Sequence, residues 1–198
     1  MPSLPPLTQA LILVNVAIFC LQLIVGPWLI GLFGLWPIGG GFWPWQPLSY
    51  AFLHGDLLHL FFNMLGLWMF GAELERLWGP RRFAVFYGAS VLAAAVAQQL
   101  VAALLNSPTP TVGASGGLFG LLLAFGMLFP HRTIMPLFPP IPMKARTFVI
   151  VFGVIELLLG LNAPTGGVAH FAHLGGMVGG WLTIRTWRGQ PPFGRRRR

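Results

Sequence analysis

His54, His59, Asn63, Ser115, Glu156, His170 and His173 are polar side chains set in long apolar stretches of this chain. A serine beside a histidine can perform nucleophilic acyl transfer. The imidazole takes the hydroxyl proton as the oxygen attacks a carbonyl and later returns it to the leaving group. That chemistry needs a hydroxyl and a ring nitrogen within about 3 Å, and hydrogen-bond donors for the oxyanion of the tetrahedral intermediate. His59 and Asn63 are spaced i, i+4, so they share one helix face, and both can donate. The same residues also have plainer readings. Ser115 would serve as a small packing residue, and His59 with Asn63 as an interhelical hydrogen-bond pair.

These groups must be positioned inside a membrane. Of 198 residues, 56% are hydrophobic and 8% charged, with a mean hydropathy of +0.75. A soluble domain carries about 25% charged residues, so a water-facing surface is excluded. Six stretches without Lys or Arg approach spanning length: 7–25, 54–75, 83–105, 115–129, 147–163 and 168–184. All twelve basic residues fall in three places: Arg76, Arg81 and Arg82; then Arg132, Lys144 and Arg146; then Arg185, Arg188 and Arg195–Arg198. With six spans those places share one face, which the positive-inside rule makes cytoplasmic, with both termini. The net charge of +8 therefore reads as topology and not as nucleic-acid binding. Cys20 is the single cysteine, so no intramolecular disulfide forms. Leu7–Val25 reads as a retained helix and not a signal peptide. The expected organisation is one membrane domain over 1–190 and a basic tail over 191–198.

Depth follows from helical rise. Counting 1.5 Å per residue from Arg76, His131 and Arg185 puts Asn63 at about 20 Å, His59 at about 26 Å, Ser115 at about 24 Å and His173 at about 18 Å. All four fall in one layer toward the outer leaflet. The stretch from Ser115 to Phe129 covers only about 22 Å of a hydrocarbon core of about 30 Å. Its helix is thus expected to begin inside the membrane, where irregular backbone requires protein burial or a water-filled cavity. Residues 26–50 hold six glycines, four prolines and four tryptophans without charge, which fits an element lying in the outer interface. Residues 130–146, with five prolines, read as a stiff cytoplasmic link.

Three motifs in order, His54-x4-His59-x3-Asn63, Gly113-Ala114-Ser115-Gly116 and Ala172-His173-x2-Gly176-x3-Gly180, resemble the rhomboid family of intramembrane serine proteases. Glu73-x-Glu75-Arg76-x2-Gly79 adds to the likeness, which covers the second to sixth helices. The resemblance implies an all-α bundle of six transmembrane helices with a short fourth helix. It implies a Ser–His dyad with Ser115 as nucleophile and His173 as base and then acid. The oxyanion donors would be His59, Asn63 and the Ser115 backbone. Gly113, Gly116 and Gly176 would permit close packing, and Phe119, where the family often has tyrosine, would stack on the imidazole. His173 is preferred to His170 because it alone has glycine at +3 and +7. His54 is given a structural role. Glu156, about 15 Å up the fifth helix, is read as protonated or hydrogen-bonded between helices; a third catalytic place, for which it would have to reach His173, is the lesser alternative given the dyad that the resemblance implies.

The implied substrates are single-span membrane proteins cut near the outer leaflet, with lateral access beside the fifth helix and 26–50. No metal or cofactor is implied, and the expected location is a bacterial plasma membrane. The Trp-Arg pair that anchors the 26–50 segment in some members is absent. A non-catalytic relative would lack the serine or the histidine. A metal peptidase built on His54/His59 and His170/His173 lacks a His-Glu-x2-His helix. A transporter would need a second broken helix.

Overall fold

The computed structural model describes residues 3–137, 140–162 and 169–190. The arginine tail and the 164–167 connection lie outside the described residues. Helix α1 covers Pro6–Val25, α2 Trp28–Phe33 and α3 Gln46–Ser49. Helices α4 (Leu57–Gly66) and α5 (Ala72–Trp78) are joined by a π-helical segment, Leu67–Gly71. Then follow α6 (Pro80–Leu105), α7 (Ser115–Leu128), α8 (Ala145–Asn162) and α9 (His170–Trp187). Among the described residues, each expected stretch therefore contains a helix. Four are long and apolar enough to cross a membrane: Pro6–Val25, Leu57–Trp78, Pro80–Leu105 and Ala145–Asn162. Helix α7, with 14 residues, rises about 21 Å. Helix α9 matches α8 in length, but two histidines and Arg185 dilute its hydropathy.

Helix α1 reverses the amphipathic pattern of a soluble helix. Leu13, Leu23 and Ile24 face outward, while the buried residues are Thr8, Asn15, Phe19 and Gln22. Lipid solvates apolar groups as well as a protein core does, so the face turned to the protein can be the polar one. Gln22 clamps the backbone of His54, donating to its carbonyl and accepting from its N–H, both at 3.0 Å. At the other end, the buried Glu75 carboxylate accepts the Leu7 N–H (2.9 Å), the Thr8 N–H (2.6 Å) and the Thr8 hydroxyl (2.7 Å). Two orphan donors of the α1 first turn are thereby satisfied by a charge of favourable sign. Glu75→Ala would leave them buried and unmet. We expect a loss of about 2–4 kcal/mol, read as a lower Tm in detergent.

Helices α6, α7 and α9 meet through small residues. A Cβ on Gly176 would lie 1.9 Å from the Gly116 carbonyl oxygen, and one on Gly120 3.0 Å from the Gly176 carbonyl. On the other side of α9, Gly175 and Gly179 press on Ala97 and Ala93 of α6, where added Cβ atoms would sit 2.4 and 2.5 Å away. Phe83, Phe86, Leu67 and Leu121 fill the centre.

The 26–50 segment is held by two glutamines. Gln46, wholly buried, accepts from the Trp36 N–H and donates to the Leu32 and Gly41 carbonyls. Gln99 of α6 donates to the Trp36 carbonyl at 2.7 Å and accepts from the Ile38 N–H. These side chains anchor the segment. A two-way bridge between Leu35 and Thr111 ties the segment to the loop before α7. The expected plain link over 130–146 instead contains a short ribbon, β1 (Thr133–Ile134) antiparallel to β2 (Met143–Lys144), with Ile134 opposite Met143.

Candidate active site

Ser115 is the first residue of α7, so its N–H has no acceptor within the helix. The approach is fixed by Tyr50, whose hydroxyl donates to the Val91 carbonyl at 2.9 Å and whose own carbonyl accepts the Gly113 N–H at 2.9 Å. Gly113 has φ +125°, a conformation that disfavours a side chain. A Cβ there would also lie 2.7 Å from Cε1 and Nε2 of His59 and 3.5 Å from Ser115 Oγ. Glycine is needed on both counts, and it brings the His59 ring to the serine.

His173 Nε2 lies 2.8 Å from Ser115 Oγ. Phe119, one turn along α7, stacks on the imidazole with centroids 4.3 Å apart and planes 6° from parallel. Gly116 and Gly176 form the backbone contact that lets two short side chains meet. The structure thus brings together Ser115, His173, Phe119 and the three glycines.

His59 follows Asp56, which caps α4 by accepting the His59 N–H at 2.8 Å. The His59 Nδ1 faces the Gly55 N–H at 3.4 Å, which leaves Nε2, on the side of Gly113, to carry the ring proton. Asn63, one turn further, spends one amide hydrogen on the His59 carbonyl at 2.9 Å and keeps a second. Both residues line the serine's cavity. His54 does not join them in chemistry. It is buried, stacks edge-on to His59 at 5.1 Å, and its ring nitrogens have no partner among the described residues.

Glu156 lies closer to the reacting pair than an interhelical hydrogen bond alone requires. Its Oε2 lies 2.8 Å from His173 Nδ1 and 2.7 Å from His170 Nδ1. It bridges helices as expected, but it does so on the far nitrogen of the histidine that touches the serine. The depth estimates for Glu156 and His173 differ by about 3 Å, which a glutamate side chain easily covers. Ligand atoms of Glu156, His170 and His173 lie within 4.8 Å of one another, as a metal site would require. Here they satisfy each other by hydrogen bonds.

A cavity of about 910 Å³ opens on Ser115 and His173. It runs along Met69 and Phe70 on one side and Phe148 and Phe152 of α8 on the other, down to Ile134 and Leu137. No residue of 26–50 lines it. Gln99 and the Leu35–Thr111 bridge hold the segment against α6 and the 106–114 loop instead.

The family model described as "Rhomboid domain" matches residues 42–189. This chain belongs to the rhomboid family. Among curated rhomboid relatives, "Rhomboid protease GluP" of Bacillus subtilis is 34% identical over 145 residues, 73% of this chain and 26% of that protein. "Rhomboid protein 1, mitochondrial" of Saccharomyces cerevisiae is 36% identical over 134 residues, 67% of this chain and 38% of the other. "Rhomboid protease GlpG" of Klebsiella pneumoniae is 26% identical over 178 residues, covering 88% and 60% respectively. The chain therefore spans 26–60% of the length of these relatives. Rhomboid membership and the four apolar helices make it an integral membrane protein.

Proposed function

We propose that this rhomboid is an intramembrane serine endopeptidase acting on single-span membrane proteins near the outer leaflet. The observation that carries the reading is the 2.8 Å contact between Ser115 Oγ and His173 Nε2 at the wall of a large cavity. His173 takes the serine proton as Oγ bonds to the scissile carbonyl carbon. The oxyanion is met by the Ser115 N–H, His59 Nε2–H and the free Asn63 amide hydrogen. His173 then protonates the leaving amine, the C–N bond breaks, and water hydrolyses the acyl-enzyme by the same proton route.

The reading is completed by six crossings, with α7 beginning inside the bilayer and the three basic places on the cytoplasmic side. The proposed location is a bacterial plasma membrane. Substrates would carry a helix-weakening stretch and a small residue before the cut, and would enter between the Leu57–Trp78 rod and α8. The names of the relatives from Bacillus subtilis and Klebsiella pneumoniae support protease activity. The test is co-expression of single-span candidates with wild type and with Ser115→Ala. A fragment produced only by wild type is expected, and its new terminus locates the cut. Equal fragments from both proteins, or none from any candidate, would overturn the reading.

A further inference from the structure

We infer that Glu156 and His170 form a positioning pair for the reacting histidine, so that the chemistry runs on Ser115–His173–Glu156 with His170 steadying the carboxylate. This deepens the proposed protease function and rests on it.

The argument begins with hydrogen-bond roles. An ionised carboxylate oxygen only accepts, and it has two lone pairs. Glu156 Oε2 faces two Nδ1 atoms, those of His173 and His170, and with the carboxylate ionised each ring donates from Nδ1. The proposal places this tautomer on His173. Nε2 holds the lone pair, and Nε2 is the atom that faces Ser115 Oγ. The opposite tautomer would point an N–H at the hydroxyl and could not accept its proton. The carboxylate also lies where the imidazolium forms after proton transfer, in a buried setting that strengthens their attraction.

The second histidine has a distinct task. A carboxylate held by one hydrogen bond can swing about its last torsions. His170 stands three residues before His173 on α9, so both rings lie on one face, and its bond to the same oxygen pins the group. The rings meet edge-on with centroids 6.3 Å apart, which lets both nitrogens converge.

The backbone is shaped for this contact. Gly160 lies one turn beyond Glu156 on α8, and a Cβ there would meet Phe171 Cε2 at 3.1 Å and His170 Cβ at 3.2 Å. Glycine thus brings α8 against α9 at the level where Glu156 must reach. Glu156, His170 and His173 are all less than a tenth exposed. Glu156 is the sole acidic side chain on α8.

The test uses the full chain in liposomes with a fluorogenic transmembrane peptide that wild type cleaves. Glu156→Gln keeps the shape and removes the charge. We expect kcat to fall at least ~10-fold with KM within about twofold and an unchanged Tm. His170→Ala should lower kcat several-fold in the wild-type background and have no further effect in Glu156→Gln, because both changes act through one nitrogen. Glu156→Asp, one methylene short of His173, should also lose kcat; it serves as the second variant if Glu156→Gln does not fold. A kcat within twofold of wild type for either Glu156 variant would overturn the inference while leaving the protease reading intact. So would a loss confined to KM, a loss that tracks Tm, or additive effects of Glu156→Gln and His170→Ala. Absence of any Ser115-dependent cleavage by wild type would instead overturn the protease reading itself.

Discussion

Ser115→Ala is expected to abolish both peptide cleavage and labelling by a fluorophosphonate, a loss of about 10⁴-fold or more. A serine hydroxyl is a weak nucleophile until a base takes its proton, and His173 Nε2 is the base in reach. His173→Ala should therefore lose nearly as much as Ser115→Ala, and the double variant no more than either alone, since the two act as a unit. Folding should survive both changes. Alanine suits the first turn of α7, and the bonded neighbours that His173 would release, Glu156 and Ser115, keep His170 and the cavity as partners. The measurement is gel fluorescence after labelling in detergent, with Tm recorded for each variant. Labelling of Ser115→Ala at the wild-type rate would mean another residue is the nucleophile. Full labelling of a folded His173→Ala would mean the serine is activated by something else.

Much of this arrangement could be read from the sequence, and what could not has identifiable causes. Runs without charge located the helices, because a lipid-facing helix needs only apolar residues and length. Glycines at 113, 116 and 176 pointed to close approach, and the structure uses each of them in that way. Helical rise gave depth and put Ser115, His59, Asn63 and His173 in one layer. Rise carries no information on which way a helix faces, so it could not show that Glu156 turns toward His173. The anchoring of 26–50 was illegible for another reason: Gln46 and Gln99 bond to backbone carbonyls and N–H groups, which leave no mark in a residue pattern. The polar seam of α1 was available. Thr8, Asn15 and Gln22 recur every seven residues, a period that marks one face of a helix, and all three are buried. The π-helical segment Leu67–Gly71 has no comparable signature.

Gly176→Ala should be the most damaging single-methyl change in the molecule. Its Cβ would lie 1.9 Å from the Gly116 carbonyl oxygen and 2.8 Å from that carbonyl carbon. Both atoms are backbone, so no side-chain rotation relieves the clash and α9 must move away from α7. Overpacking of this kind costs about 1–3 kcal/mol, which should lower Tm. The chemical cost is larger. Gly116 adjoins Ser115 and Gly176 lies three residues after His173, so the displacement acts directly on the 2.8 Å Ser115–His173 contact. A shift of about 1 Å at a reacting pair costs about 10²-fold, and we expect at least that loss in both cleavage and fluorophosphonate labelling. Gly153→Ala on α8 is the matched control. Its Cβ would meet Met177 Cε at 3.5 Å, an ordinary contact with the end of a flexible side chain, and activity should be retained. If Gly176→Ala labels and cleaves as wild type does, the helices have slack at this crossing. Proximity enforced by glycine would then not be what holds the hydroxyl and the imidazole together.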